Sequence, residues 1–161
     1  MVYQILKIFY LARVNPRSYA LVIKQLPPDV QQRHSVTRFG ASNVYSQAEY
    51  LLLRWLTACF ETVNPHLTRE PKTFSSDFQD SALLSSLVLS YFPKEEKNLS
   101  KRNKQANDLK LINYNTIITI LKEYGIYTHV KNFQISPTSV PNAREMVLFL
   151  AMLFQNIQYF N

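Results

Sequence analysis

The sequence is poor in glycine and cysteine and has no long apolar run, and each shortage excludes a class of protein. Only two of the 161 residues are glycine, Gly40 and Gly125, so glycine-rich phosphate loops and the G-x-S-x-G nucleophile turn cannot be built. Cys59 is the only cysteine, which excludes an internal disulfide and fits a reducing cytoplasm. The longest apolar run, around Val147 to Phe154, is far shorter than the roughly 20 residues of a membrane-spanning helix.

The residues that are abundant favour helices. Hydrophobic residues make up 47% of the chain, which is ample for one hydrophobic core in a protein of this length. Leucine-rich segments repeat their apolar residues at helical spacing, and so little glycine is atypical of proteins built from sheets and turns. We therefore predict an all-α fold, consisting of one domain with an extension.

The formal net charge is +7, and it is distributed unevenly. Residues 1 to 45 contain six basic residues against one acidic residue, whereas the remaining chain is nearly balanced. Positive surfaces attract nucleic acid, anionic lipid, actin and the acidic tails of tubulin alike, so charge alone does not identify a partner. A solvated basic surface without any partner is the alternative interpretation.

Residues 1 to 45 are predicted to form an N-terminal extension, a docked helix followed by a basic linker. Between Val2 and Val14 an apolar stripe recurs at helical spacing, formed by Ile5, Ile8, Phe9 and Ala12. The segment from Tyr19 to Leu26 fits either a helix or an extended strand, and its pattern does not decide between them. Residues 30 to 45 are polar and basic, which is typical of a linker or a loosely packed wrap.

The compact domain is predicted to begin at Ser46. Ser46 and Glu49 form an S-x-x-E capping box, which predicts a helix from Gln47 to Val63. One broad face of this helix is apolar and contains Leu52, Trp55, Leu56, Cys59, Phe60 and Val63. We expect Trp55 to lie at the centre of the core.

The segment from Thr73 to Pro93 combines a helix-start signal, an apolar helix and a proline stop. Phe74 and Phe78 bracket a Ser-Ser-Asp run that can cap a helix, and Asp80 follows. Apolar residues then recur at helical spacing at Ala82, Leu83, Leu84, Leu87, Val88 and Tyr91. This order of residue types predicts a second long helix.

A polar and strongly basic segment follows Pro93, and we expect it to be a mobile surface loop. Its basic residues are the candidate partner contacts: Lys94, Lys97, Lys101, Arg102, Lys104 and Lys110. Few apolar residues interrupt it.

Two further helices are predicted after this segment. Asn113 can cap the first, Gly125 supplies a left-handed end, and the inward residues are Ile117, Ile118, Leu121 and Tyr124. Pro141 and Asn142 introduce the second, whose centre is apolar on all sides. Such a helix is expected to be buried among others.

These four segments, in this order, resemble the calponin homology (CH) domain. In the signature of that family an aromatic residue precedes a basic residue, Asp and Gly. Here Phe78, Gln79, Asp80 and Ser81 stand in those places, and Leu89 stands where a His is common. Gln79, Ser81 and Leu89 depart from the family pattern, but none of them breaks the helix.

The resemblance implies a calponin homology-like bundle of four main helices plus short connecting helices over residues 46 to 161. The residues that would form its structural core are Trp55, Phe74, Phe78, Asp80, Leu87 and Leu150. The family is non-catalytic, so the resemblance implies no enzyme activity and no cofactor or metal.

The resemblance also implies a role at the cytoskeleton. Only one copy of the signature is present, which is similar to the lone, divergent domain of large cilia- and flagella-associated proteins rather than to the tandem pair of actin crosslinkers. We therefore expect a piece of a large axonemal protein, located in the cytoplasm and the cilium or flagellum, that binds microtubules (tubulin) or other axonemal proteins. F-actin binding and pure protein docking through residues 1 to 26 are the alternatives. We expect no nucleic-acid or membrane binding, and a monomeric isolated domain.

Other chemistry has little support in the sequence. The histidines lie far apart, without cysteine or paired carboxylates at ligand spacing, so no zinc site is predicted. Asp77 and Asp80 are interpreted as helix-start residues, because a helix N-terminus favours negative charge. Cys59 falls on the apolar face of its helix, which predicts a buried thiol rather than a nucleophile.

Overall fold

The computed structural model describes residues 2–35, 44–102, 114–127 and 141–159, and every regular element in these ranges is helical. The prediction of an all-α fold is therefore confirmed over this part of the chain. Its α-helices, in chain order, are α1 Val2–Leu11, α2 Pro16–Ile23, α3 Pro28–His34, α4 Gln47–Val63, α5 Ala82–Tyr91, α6 Glu96–Arg102, α7 Tyr114–Glu123 and α8 Ala143–Gln158. Short 3₁₀ helices, Ser76–Phe78 and Pro93–Glu95, precede α5 and α6.

Helix α4 has the bounds that its capping residues predict. The Ser46 hydroxyl accepts a hydrogen bond from the Glu49 backbone N–H at 3.3 Å and donates one to Glu49 Oε1 at 2.9 Å. The helix runs along α5 and also contacts α8. Its Trp55 is completely buried, and the indole meets the Phe154 ring of α8 edge-on at 5.1 Å.

A single hydroxyl connects three helices around Trp55. Tyr91 at the end of α5 accepts a hydrogen bond from Trp55 Nε1–H at 2.8 Å and donates one to the Val22 carbonyl of α2 at 3.1 Å. Burial raises the pKa of Tyr91 well above its ordinary value. The hydroxyl therefore stays protonated and keeps its donor role at neutral pH.

Five of the six residues assigned to the motif core are buried. The exposed fraction is 0% for Trp55, Phe78, Leu87 and Leu150 and 2% for Phe74. The rings of Phe74 and Phe78 are stacked with centroids 6.5 Å apart. Asp80 differs, because about a third of its side chain (32%) is exposed and its carboxylate faces the domain surface.

Helices α2 and α3 belong to the same hydrophobic cluster as α4, α5 and α8. The segment from Tyr19 to Leu26, whose pattern fitted a helix or a strand, is helical up to Ile23 and then forms a turn. Asn15 caps this helix by accepting the backbone N–H groups of Arg17 and Ser18. The cluster residues from this part of the chain are Val14, Tyr19, Val22, Ile23, Leu26 and Val30. The hydrophobic core thus extends across the boundary drawn at Ser46.

The linker predicted for residues 30 to 45 differs from the structure over the part that is described. Pro28 occupies the first turn of α3, where a missing backbone N–H costs nothing, so the proline pair begins a helix as well as ending one. This helix buries Val30 and His34. Residues 36–43 lie outside the described ranges.

The prediction of a mobile loop after Pro93 is wrong for residues 93 to 102, which form a 3₁₀ turn and helix α6. Leu99 is 1% exposed and Glu95 is 8% exposed, so the segment is held by one apolar and one polar side chain. Two buried residues in a polar sequence give too weak a period to be recognised.

Helices α7 and α8 follow their capping signals closely. Gly125 ends α7 with a φ of 75°, as the left-handed C-terminal position requires. Asn142 caps α8 by accepting the backbone N–H groups of Arg144 and Glu145. Within α7, Ile117 and Leu121 are buried as predicted, whereas Ile120 is also buried and Ile118 and Tyr124 are only partly so. Asn113 lies outside the described residues.

Candidate protein-binding surfaces

The first two lysines of the basic segment after Pro93 lie on the 3₁₀ turn Pro93–Glu95 and on helix α6. Lys94 and Lys97 are both exposed. Lys101 and Arg102 lie in the last turn of α6, but their side chains are outside what the structure describes, as are the whole residues Lys104 and Lys110.

The start of this segment is held by hydrogen bonds of Glu95, one of which comes from Tyr124 directly after α7. Glu95 Oε1 accepts a hydrogen bond from the Tyr124 hydroxyl at 2.9 Å, and Glu95 Oε2 accepts one from Asn98 Nδ2 at 2.6 Å. The Tyr124 ring stacks on Phe92 with centroids 4.1 Å apart. The hydrogen bond to Glu95 raises the pKa of Tyr124.

This geometry affects the electrostatics of the segment. Because Glu95 is turned inward, its negative charge is directed at Tyr124 and Asn98 rather than at the solvent. The neighbouring Lys94 and Lys97 remain exposed. Glu96 is exposed as well, so the surface of the KEEK sequence presents two lysines and one glutamate to solvent rather than two of each.

The segment before α5 is stabilised by Asp77 and Asp80. Arg69 Nη1 donates hydrogen bonds to the two Asp80 carboxylate oxygens at 2.9 and 3.1 Å, and Arg69 Nη2 donates one to the Asp77 carbonyl at 3.0 Å. Asp80 Oδ1 also accepts the Ala82 backbone N–H at 3.1 Å. Asp77 Oδ2 accepts the backbone N–H groups of Lys72 and Thr73, each at 2.9 Å. Asp80 therefore binds the first backbone N–H of α5, as a helix-start residue should, whereas Asp77 binds backbone N–H groups that precede the 3₁₀ turn.

Helix α7 is tied to the same segment. The Tyr114 hydroxyl donates a hydrogen bond to the Phe78 carbonyl at 2.6 Å. Burial raises the pKa of Tyr114, so the hydroxyl keeps its proton. The residues before α5, from Asp77 to Asp80, are thereby held by hydrogen bonds from Arg69, from the first backbone N–H of α5 and from Tyr114 of α7.

The apolar stripe predicted in the first helix is exposed. Helix α1 packs against α8, and Tyr10 and Leu11 lie against the core. Ile5, Ile8 and Phe9 are on the opposite side, with exposed fractions of 62%, 69% and 50%. Helical spacing identified this stripe correctly, but the face of α1 that packs against the rest of the protein is the one that contains Tyr10 and Leu11.

A buried polar cluster joining α3 to α4 was not predicted. His34 Nε2 lies 2.7 Å from Glu61 Oε2, and Arg33 Nε donates a hydrogen bond to the same oxygen at 3.3 Å. Thr68 donates one to Glu61 Oε1 at 3.4 Å, and the Tyr19 hydroxyl donates one to the His34 carbonyl at 3.0 Å. No local sequence pattern connects residues this far apart, so the cluster had no signal in the sequence.

Among the residues that the structure describes, no three His, Cys, Asp or Glu side chains are grouped so that they could hold a metal ion. Cys59 is completely buried in α4, and this burial raises the pKa of its thiol to about 12. A protonated thiol without solvent access is a poor nucleophile. None of the described helices has the length and apolar character needed to cross a bilayer.

Comparison of the chain with protein-family models, curated proteins and solved structures finds no significant match.

Proposed function

We propose that the chain is a non-catalytic, cytoskeleton-associated binding module of the calponin homology type that contacts microtubules or other axonemal proteins through its basic segment. The observation that carries the proposal is the exposure of Lys94 and Lys97 on a turn and helix that Glu95 and Leu99 hold in place. A fixed array of cations binds an acidic surface at a lower entropic cost than a disordered one does.

The family assignment is supported by the arrangement of the four main helices. Helices α4, α5, α7 and α8 follow one another in the order that the resemblance requires, and α4 contacts both α5 and α8 while α5 contacts α7. Trp55, the tryptophan of the first of these helices, is completely buried and contacts the rings of Tyr91 in α5 and Phe154 in α8.

The choice of partner is supported by charge. A net charge of +7 produces a positive field that attracts acidic filaments and accelerates encounter with them. Microtubules present acidic tubulin tails, which match exposed lysines in sign. Such an interaction should weaken with salt, since the Debye length falls from about 10 Å at 0.1 M to about 3 Å at 1 M salt.

Co-sedimentation with polymerised tubulin and with F-actin, side by side, tests the proposal. The double variant Lys94→Glu/Lys97→Glu should lose microtubule binding, whereas the control Arg17→Glu/Lys24→Glu, which reverses one exposed charge in α2 and one directly after it, should retain it. Equal losses in both variants would reject the basic segment as the contact. Stronger pelleting with F-actin would favour the actin-binding alternative.

A docking module without filament affinity is the second candidate, and the exposed apolar face of α1 favours it. Isolated apolar side chains on a surface are ordinary, but a contiguous group on one helix marks a protein interface. The absence of the wild-type chain from both filament pellets, together with retained folding, would favour this function.

A further inference from the structure

Helix α1 has two apolar sides, and the residues that the structure describes cover only one of them. The exposed side consists of Val2, Ile5, Leu6, Ile8 and Phe9, with exposed fractions between 40% and 73%. We call this group the α1 outer face. Four of these residues have the i, i+3, i+4, i+7 spacing of a stripe through which helices pair: Val2, Ile5, Leu6 and Phe9. Over eight residues such a stripe is about 10 Å long.

Every charged side chain in residues 1 to 28, the segment that contains α1, is positive. No Asp or Glu occurs among residues 1 to 28, whereas Lys7, Arg13, Arg17 and Lys24 do. Arg13 is held at the edge of the face, because its guanidinium lies 3.6 Å from the Phe9 ring centroid and donates a hydrogen bond to the Phe9 carbonyl at 3.3 Å. A partner that covers the face must therefore lie next to the Arg13 cation. Residues 1 to 28 supply no acidic side chain to neutralise this cation.

From the shape and charge of this face, we infer that the α1 outer face binds an amphipathic helix whose apolar stripe is flanked by Asp and Glu residues. The apolar stripe of such a helix would pack into the grooves between Ile5, Ile8 and Phe9. Its acidic flank would pair with Arg13. This inference names the partner of the docking function given above as the second candidate, and it rests on that function rather than on filament binding.

Two other occupants fit the face less well. Helices that lie on anionic membranes carry rows of Lys and Arg along their polar face, whereas α1 contains one basic residue, the half-buried Lys7, and Arg13 follows the helix. A parallel symmetric pair of copies would bring two Arg13 cations together, and a symmetric pair in either orientation finds no acid in residues 1 to 28 to meet Arg13. An acidic helix avoids both problems.

The test uses the full chain and two fluorescent helical peptides with identical leucine stripes, one with Glu and one with Lys on its polar positions. The Leu/Glu peptide should bind at least about tenfold more tightly than the Leu/Lys peptide. The variant Ile5→Asn/Ile8→Asn should weaken Leu/Glu binding by about tenfold or more. The control Leu67→Asn, at a residue that is 60% exposed in the loop after α4, should leave it unchanged.

Three results would overturn the inference. The first is no binding of the Leu/Glu peptide, or equal binding of both peptides. The second is that the wild-type chain binds phosphatidylserine vesicles, that the Ile5→Asn/Ile8→Asn variant does not, and that the Leu/Glu peptide binds neither protein. This result would assign the face to a membrane. The third is self-association in sedimentation equilibrium that the same variant abolishes, which would assign it to a second copy. Unchanged microtubule pelleting of this variant would show that the two surfaces act separately.

Discussion

Replacing Tyr91 by Phe should destabilise the protein although it removes only one oxygen atom. The Tyr91 hydroxyl accepts a hydrogen bond from Trp55 Nε1–H at 2.8 Å and donates one to the Val22 carbonyl at 3.1 Å. Both Trp55 and Val22 have an exposed fraction of 0%, so water cannot replace the lost hydroxyl without rearrangement. The variant therefore leaves a buried indole N–H without its partner.

The magnitude follows from which of the two groups loses its last partner. The Val22 carbonyl keeps a hydrogen bond from the Gln25 backbone N–H at 3.3 Å, so most of the cost comes from Trp55. An unsatisfied buried donor costs about 1–3 kcal/mol, and we expect a loss of about 2 kcal/mol in the free energy of unfolding. For a chain of this length that corresponds to a fall in Tm of about 4–8 °C.

Urea unfolding followed by Trp55 fluorescence measures this loss, with Tyr127→Phe as the matched control. Tyr127 is 62% exposed, so removal of its hydroxyl should change stability by less than about 0.5 kcal/mol. A double-mutant cycle with Trp55→Phe, followed by far-UV circular dichroism because Trp55 is the only tryptophan, isolates the coupling between the indole and the hydroxyl. A Tyr91→Phe variant as stable as the wild type would refute the assigned role of this hydroxyl in joining α2, α4 and α5.

Three further predictions concern stability. The Glu61→Gln variant weakens the contacts of Glu61 with buried His34 and with half-exposed Arg33 and should lose about 1–3 kcal/mol in urea unfolding; an unchanged midpoint would contradict the cluster. Asp80→Asn should cost only about 1 kcal/mol or less, because its pair with Arg69 is partly exposed, and a loss several times larger would show that the pair is buried. Stability should fall as pH rises above the ordinary Cys59 pKa of 9.0 toward its folded value of about 12, because the unfolded chain then releases a proton that the folded chain retains; Cys59→Ala should show a shallower alkaline decline in Tm, and an identical decline would contradict a buried thiol.

Local signals in the sequence were sufficient for the helices that begin and end at capping residues. Ser46 and Glu49 define the start of α4, Gly125 ends α7, and Asn142 begins α8. Each of these signals acts over only a few residues. The apolar periods between them then place Trp55 in the core, because side chains three and four positions apart share a helix face.

Features that depend on distant residues were beyond the sequence pattern. Helix α6 exists because Leu99 is buried and Glu95 binds Tyr124, which is 29 residues away. The contact between His34 and Glu61 spans 27 residues and had no local signal. Periodicity also cannot tell which of two apolar sides of a helix meets the core, so the outward direction of Ile8 in α1 required the structure.

The candidate contact surface was identified from the sequence only as a run of charge. Its composition predicted exposed lysines, and the structure describes Lys94 and Lys97 as exposed. Composition could not predict the inward direction of Glu95, which removes a negative charge from the solvent-facing surface. That direction depends on the aromatic stack of Phe92 and Tyr124, which only the tertiary fold forms.

Binding to intact microtubules and to microtubules whose acidic tails have been trimmed by protease tests the central claim most directly. The proposal predicts that the wild-type chain pellets with intact microtubules, that trimming weakens this binding at least about tenfold, and that Lys94→Glu/Lys97→Glu binds both kinds equally poorly. Equal binding of the wild-type chain to intact and trimmed microtubules, or no binding to either, would contradict a basic segment that recognises an acidic filament surface.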